Sequence, residues 1–178
     1  MTRIFITLCG VILLLISCKT TSTSLIVGDS YNNKTDNTTL TILPYGNIVI
    51  PGQWTKTGYN SSSKQHSFIR ESDSTFVSIT KNPKGKYPFY KDSQTDFEFV
   101  TNFHKWDSDY RKEQGYKTEI IKENKETNYI LWRILTDEVD NTFLYGLKNG
   151  IAYNFMVAES KMNLNEKIVF LEKMYQEN

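Results

Sequence analysis

Few side chains in this sequence are spaced for covalent chemistry. It holds two histidines, His66 and His104, and two cysteines, Cys9 and Cys18. A histidine relay or metal site needs partners converging on the imidazole, and the spacing around neither histidine supplies them. His66 lies in a Ser-rich polar stretch, and His104 flanks the apolar stripe of a predicted helix. Asp137, Glu138 and Asp140 crowd one turn beside Asn141. Calcium takes such oxygens, but the loop lacks the glycine spacing of a calcium site and reads as a solvated hairpin end. Asp107 and Asp109 fall on the polar side of the helix and are expected to face water. Glycosidic chemistry needs two carboxylates about 5–10 Å apart, and no such pair can be nominated. We assign no catalytic residue, metal ligand or cofactor.

Binding chemistry is better represented. Between Lys84 and Lys91, three cations (Lys84, Lys86, Lys91) interleave with three aromatics (Tyr87, Phe89, Tyr90), and Pro88 within the segment and Pro83 just before it stiffen the loop. Aromatic side chains offer large contact area and cations frame it, so these six residues are the candidate partner-binding surface. The competing expectation is that Tyr87 and Phe89 fold back over the first helix as a satellite core.

Cys18 carries the most specific signal. Arg3 precedes an apolar run from Leu8 to Ile16, followed by Ser17 and Cys18. A spanning helix needs about 20 apolar residues, so this run is too short to be one. It has the build of a secretory signal. The run Leu15-Ile16-Ser17-Cys18 also resembles the lipobox of bacterial lipoproteins, which implies cleavage before Cys18 and acylation of its thiol. Residues 1–17 are then a signal peptide with Cys9 inside it, and the mature chain keeps no free thiol and no disulfide. Lys19 stands where an inner-membrane retention signal has Asp, so the expected address is the outer membrane facing the periplasm, with surface exposure left open.

Removing residues 1–17 takes away one charge, Arg3, and leaves 20 basic against 20 acidic residues. That balance argues against nucleic acid, which calls for a basic surplus. Residues 18–39, rich in Thr, Ser and Asn, read as a flexible tether, and residues 40–178 as one α+β domain.

The elements follow from pattern. Leu40–Leu43 and Asn47–Ile50 are short strands around Pro44-Tyr45-Gly46, and Trp54 is expected to pack back on the core. Residues 55–66 read as a loop, and Ser67–Arg70 with Thr75–Thr80 as a hairpin. Thr95 and Glu98 have capping-box spacing, opening a helix that Gly115 stops. Phe99, Phe103, Trp106 and Tyr110 recur on its one apolar face. Four strands follow at 116–121, 129–135, 142–147 and 151–158, with Asn149-Gly150 as the last turn. Asn163 and Glu166 cap a closing helix. The sum is a four-stranded antiparallel meander with N-terminal strands, covered by two amphipathic helices.

Ile50-Pro51 followed by Trp54, the helix from 95 to 114, Gly115 before a strand, the meander, and Phe170-Leu171 in the closing helix resemble the PsbP/Mog1-like family over residues 46–178. That resemblance implies an αβα sandwich and a non-catalytic accessory or binding module; no functional residue of the family is matched, so none is carried over. The leading expectation is a lipid-anchored envelope protein that binds a protein partner. An immunity protein against a periplasmic toxin and a small-ligand binder are the alternatives, with an envelope hydrolase least supported.

Overall fold

Alternation along each strand decides which layer its side chains join. The computed structural model describes residues 25–158 and 160–178; the signal-like segment and Cys18 lie outside them. Strands β1 (Leu25–Asn32), β2 (Asn37–Leu43) and β3 (Gly46–Pro51) form one antiparallel sheet. A second, seven-stranded antiparallel sheet contains β4 (Thr55–Asn60), β5 (Gln65–Arg70), β6 (Thr75–Pro83), β7 (Lys117–Asn124), β8 (Tyr129–Leu135), β9 (Asp140–Lys148) and β10 (Ile151–Ala158). Its order is β4-β5-β6-β10-β9-β8-β7, so the expected meander is extended by three earlier strands through the β6–β10 pairing. Among the described residues, the α-helices α1 (Asp96–Glu113) and α2 (Leu164–Glu177) complete an α+β architecture.

Both helix starts are capping boxes. Thr95 Oγ1 accepts from the Glu98 amide at 3.2 Å, while Glu98 accepts from the Thr95 amide at 2.7 Å. Asn163 and Glu166 repeat the exchange at 3.1 and 2.8 Å. Each box satisfies two of the donors that a helix leaves open at its first turn. Gly115, at φ +86°, ends α1, and Asn149-Gly150 turns at φ 50° and 75°.

Two expectations are corrected. Of the predicted tether, residues 25–39 are not free chain: they form β1 and the start of β2, paired from Leu25↔Leu43 to Asn32↔Asn37. The predicted loop at 55–66 contains β4 and the first residues of β5. Both β1 and β4 are edge strands. β4 buries none of its side chains, so it shows no apolar alternation, and backbone pairing alone places it.

The main sheet is covered on both faces. On one, Leu40, Ile42, Ile48 and Ile50 of the small sheet join Phe170, Leu171 and Met174 of α2 against Phe68, Ile79 and Phe155. Trp54 is buried there as expected, its Nε1 donating to Pro51 O at 2.7 Å. Gly146 permits the close seat of α2, because a Cβ at that position would collide with the Tyr175 ring. The Tyr175 hydroxyl lies 2.9 Å from Thr127 O and 3.1 Å from Leu147 O. On the other face, Phe99, Val100 and Phe103 of α1 pack on Ile130, Trp132, Phe143 and Tyr145. Helix α1 lies over β7, β8 and β9. The half of that face made by β10, β6 and β5 falls beside the helix rather than beneath it, and this partial cover creates the site.

Candidate functional site

Strand register builds the floor of a cleft. Asn154 of β10 stands directly opposite Thr80 of β6 on one side and Tyr145 of β9 on the other. Successive strand residues alternate faces, so Val77, Ile79, Tyr153 and Phe155 enter the core below while Thr80, Asn82 and Asn154 point the other way, into the cleft. The cleft has a volume of about 680 Å³. One wall is the C-terminal half of α1, with Trp106, Asp107, Tyr110 and Arg111; the opposite rim is the β4–β5 turn, with Ser62, Ser63 and Lys64.

The expected apolar stripe of α1 divides at this wall. Phe99 and Phe103 are buried, whereas Trp106 and Tyr110, one turn apart, are 50% and 53% exposed. The helix stays packed beyond Phe103, with Ser108 buried and Asp107 bonded to Tyr145, while Trp106 and Tyr110 lie on its cleft side. The result is a pair of open rings on one lip.

At the junction of wall and floor, the fully buried Tyr145 hydroxyl donates to Asp107. Arg111 Nε meets the other Asp107 oxygen at 3.3 Å. Burial first, and then the Asp107 charge, push the Tyr145 hydroxyl far above its usual pKa, so it stays a neutral donor. Asp107 is therefore not a solvated surface acid as expected; its side chain is 13% exposed and engaged twice. Thr80 is 4% exposed, and its Oγ1 has no hydrogen-bond partner, nor does the buried Asn154 Oδ1. Nearly all buried polar atoms in proteins are paired, so two adjacent orphans lining one cleft mark it out. Among the described residues Lys64 and Lys86 form no ion pair, although both stand at its rim.

The six residues of the Lys84–Lys91 loop do not form one surface. Tyr87 packs on Phe103 with ring centres 4.6 Å apart, and Phe89 on Phe99 at 5.3 Å and on Trp106 at 5.7 Å. Lys84 is tied to Asp96 at 3.1 Å, its Nζ 5.8 Å from the Tyr90 ring, and the Tyr90 hydroxyl donates to Asp92 at 2.7 Å. Lys86 and Lys91 remain exposed. Lys86 and Tyr87 line the cleft with Pro88, so the loop contributes one cation and one ring to a site formed mainly elsewhere.

Sequence reasoning passed over Thr80, Asn82, Asn154, Tyr145 and Arg111, and placed Asp107 in water. Three signals were present. Polar residues alternate with apolar ones along β6, which marks a face outside the core. Asn154 also interrupts an otherwise apolar strand, and two more aromatics follow Phe103 on α1 than one strand layer needs.

The histidines lie elsewhere. His66 is buried and stacks on Tyr59 with ring centres 4.5 Å apart, and His104 meets the Trp132 ring edge-on at 5.2 Å. Asp140 of the acidic turn pairs with the buried Lys167 at 3.0 Å, beside a second cleft of about 520 Å³.

No family model matches the chain, and no curated protein matches it. Among solved structures it is similar to the solution structure of cyanobacterial PsbP (CyanoP) from Synechocystis sp. PCC 6803. The identity is 16% and the TM-score 0.40, over 92% of this chain and 94% of that one.

Proposed function

We propose that this chain is a non-catalytic binding module of the bacterial envelope, anchored by a lipid on Cys18, whose recognition site is the cleft between α1 and the helix-free half of the main sheet. The observation that carries the reading is the row Thr80–Asn154–Tyr145, in which two buried polar atoms have left water without a protein partner. Each such atom costs about 1–3 kcal/mol, a cost that hydrogen bonds from a bound ligand would offset. The volume also falls within the ~300–1,000 Å³ typical of ligand sites.

The chemistry of the lining favours binding over turnover. It contains no histidine or cysteine, and its one carboxylate, Asp107, is held by Tyr145 and Arg111. Two-carboxylate hydrolysis therefore lacks its second group at this site. Anchoring follows from the lipobox-like Leu15-Ile16-Ser17-Cys18, since several acyl chains hold a protein on a bilayer almost permanently.

The test is to isolate the full-length protein from native membranes and analyse it by native mass spectrometry, beside Trp106→Ala and Cys18→Ala. The expected result is a bound species on the wild type that Trp106→Ala loses, with Cys18→Ala released to the soluble fraction. A folded wild type that never carries a bound species would overturn the binding reading. Cys18→Ala remaining with the membrane would overturn the anchor.

A further inference from the structure

The cleft's chemistry narrows what it can hold; this step rests on the binding reading just given. Asn154 Oδ1 is an acceptor without a protein donor, which a ligand carrying a hydroxyl or N–H would match. Thr80 Oγ1, directly across the β6–β10 pair, both gives and accepts a hydrogen bond. Tyr145 spends its proton on Asp107 and presents only acceptor capacity beside them. A floor of this kind suits a molecule dense in hydroxyl groups.

The wall above it is flat and aromatic. Trp106 and Tyr110 are half exposed, one helical turn apart, at the spacing that puts neighbouring side chains on one face. Open rings of this kind suit a ligand with an apolar face of its own, such as the C–H face of a pyranose. The rim adds charge. Lys64 and Lys86 have no ion pair among the described residues, and the cleft's only carboxylate is already engaged. The unbalanced charge is therefore positive, and a complementary ligand is negative.

We infer that the cleft binds an acidic saccharide: a sugar ring lies on Trp106 and Tyr110, its hydroxyls reach Thr80 and Asn154, and its carboxylate or phosphate meets Lys64 and Lys86. A cleft of about 680 Å³ holds more than one sugar unit. A polyanion without hydroxyl donors leaves Asn154 unmet, and a neutral sugar leaves the two lysines unmet. A ligand combining both features meets Thr80, Asn154 and both lysines at once.

The experiment is a binding survey of the full-length protein on an array of uronate-, sialate- and phosphate-bearing glycans, each beside its neutral counterpart. Binding of a hit is then followed in solution by tryptophan emission. Trp54 and Trp132 are buried, so an emission shift reports Trp106. The expected result is binding to acidic members at least tenfold tighter than to their neutral partners, weakening as salt rises. Trp106→Ala should lower affinity at least tenfold. The Lys64→Gln/Lys86→Gln pair should lower affinity for the acidic members at least tenfold and so erase the acid preference. Which acidic members bind separates a carboxylate from a phosphate source.

Binding only to neutral glycans, or acid preference that survives the double lysine variant, would overturn the inference. So would a blank array. If the membrane-isolated protein still carries a non-sugar species that Trp106→Ala loses, the cleft is a site for another ligand and only the saccharide assignment fails. If neither experiment depends on Trp106, the cleft itself is not the site.

Discussion

At the scale of the residue, His66 shows what burial does to a titratable group. It is 2% exposed, neither ring nitrogen has a hydrogen-bond partner, and burial followed by the charge of Lys56 lowers its pKa to about 4. The unfolded chain takes this proton near 6.5, so between pH 6.5 and 4 it binds more protons than the folded one. Stability is then complete above pH 6.5 and falls as pH drops through that window. Burial first and then Lys112 lower His104 as well, and its contribution has the same sign. Asp73, held down to about 2 chiefly by Arg70, loses its contribution only below the ordinary carboxylate range and stays out of the window. Urea midpoints at pH 7.5, 5.5 and 4.5 should fall steadily for the wild type and less for His66→Phe. A variant with the same slope as the wild type would remove His66 from the account. In sequence, His66 stood in a Ser-rich stretch, and nothing local showed that its strand mate Ile79 draws it under cover.

At the scale of the element, both helices were legible because their signals are local. Thr95 with Glu98 and Asn163 with Glu166 act within one turn, as does Asn149-Gly150. Thr95→Ala and Asn163→Ala should each lower unfolding free energy by about 1 kcal/mol, measured by urea titration at neutral pH. Because Thr95 lies three turns from Trp106, ligand affinity should not change in Thr95→Ala; an affinity loss would mean that the cleft wall depends on the helix start. What stayed hidden depends on neighbours distant in sequence. β4 is set by pairing rather than by apolar pattern, and the division of the α1 stripe at Trp106 depends on which side of the helix the cleft lies. The floor of the cleft needed the register of three strands at once, which no single stretch reveals.

At the scale of the whole molecule, the β6–β10 pairing joins residues 76–83 to residues 151–158 and makes one sheet of the chain's two halves. Phe155 sits on that seam, fully buried between the small sheet and α2. Phe155→Ala should cost about 3–5 kcal/mol, and urea unfolding should remain a single transition by circular dichroism and tryptophan emission alike. Two separated transitions would show that the halves fold independently. The small sheet has a further effect on the anchor. β1 starts at Leu25, opposite Leu43 and thus beside the turn that carries Tyr45, a residue of the cleft lining. Under the proposed lipidation, seven peptide units link Cys18 to that point, a reach of at most about 25 Å. A ligand displayed on the same bilayer is then confined to the same thin layer as the cleft, where its local concentration exceeds that of the same ligand free in solution. A site too weak to retain a freely diffusing sugar would still be occupied there.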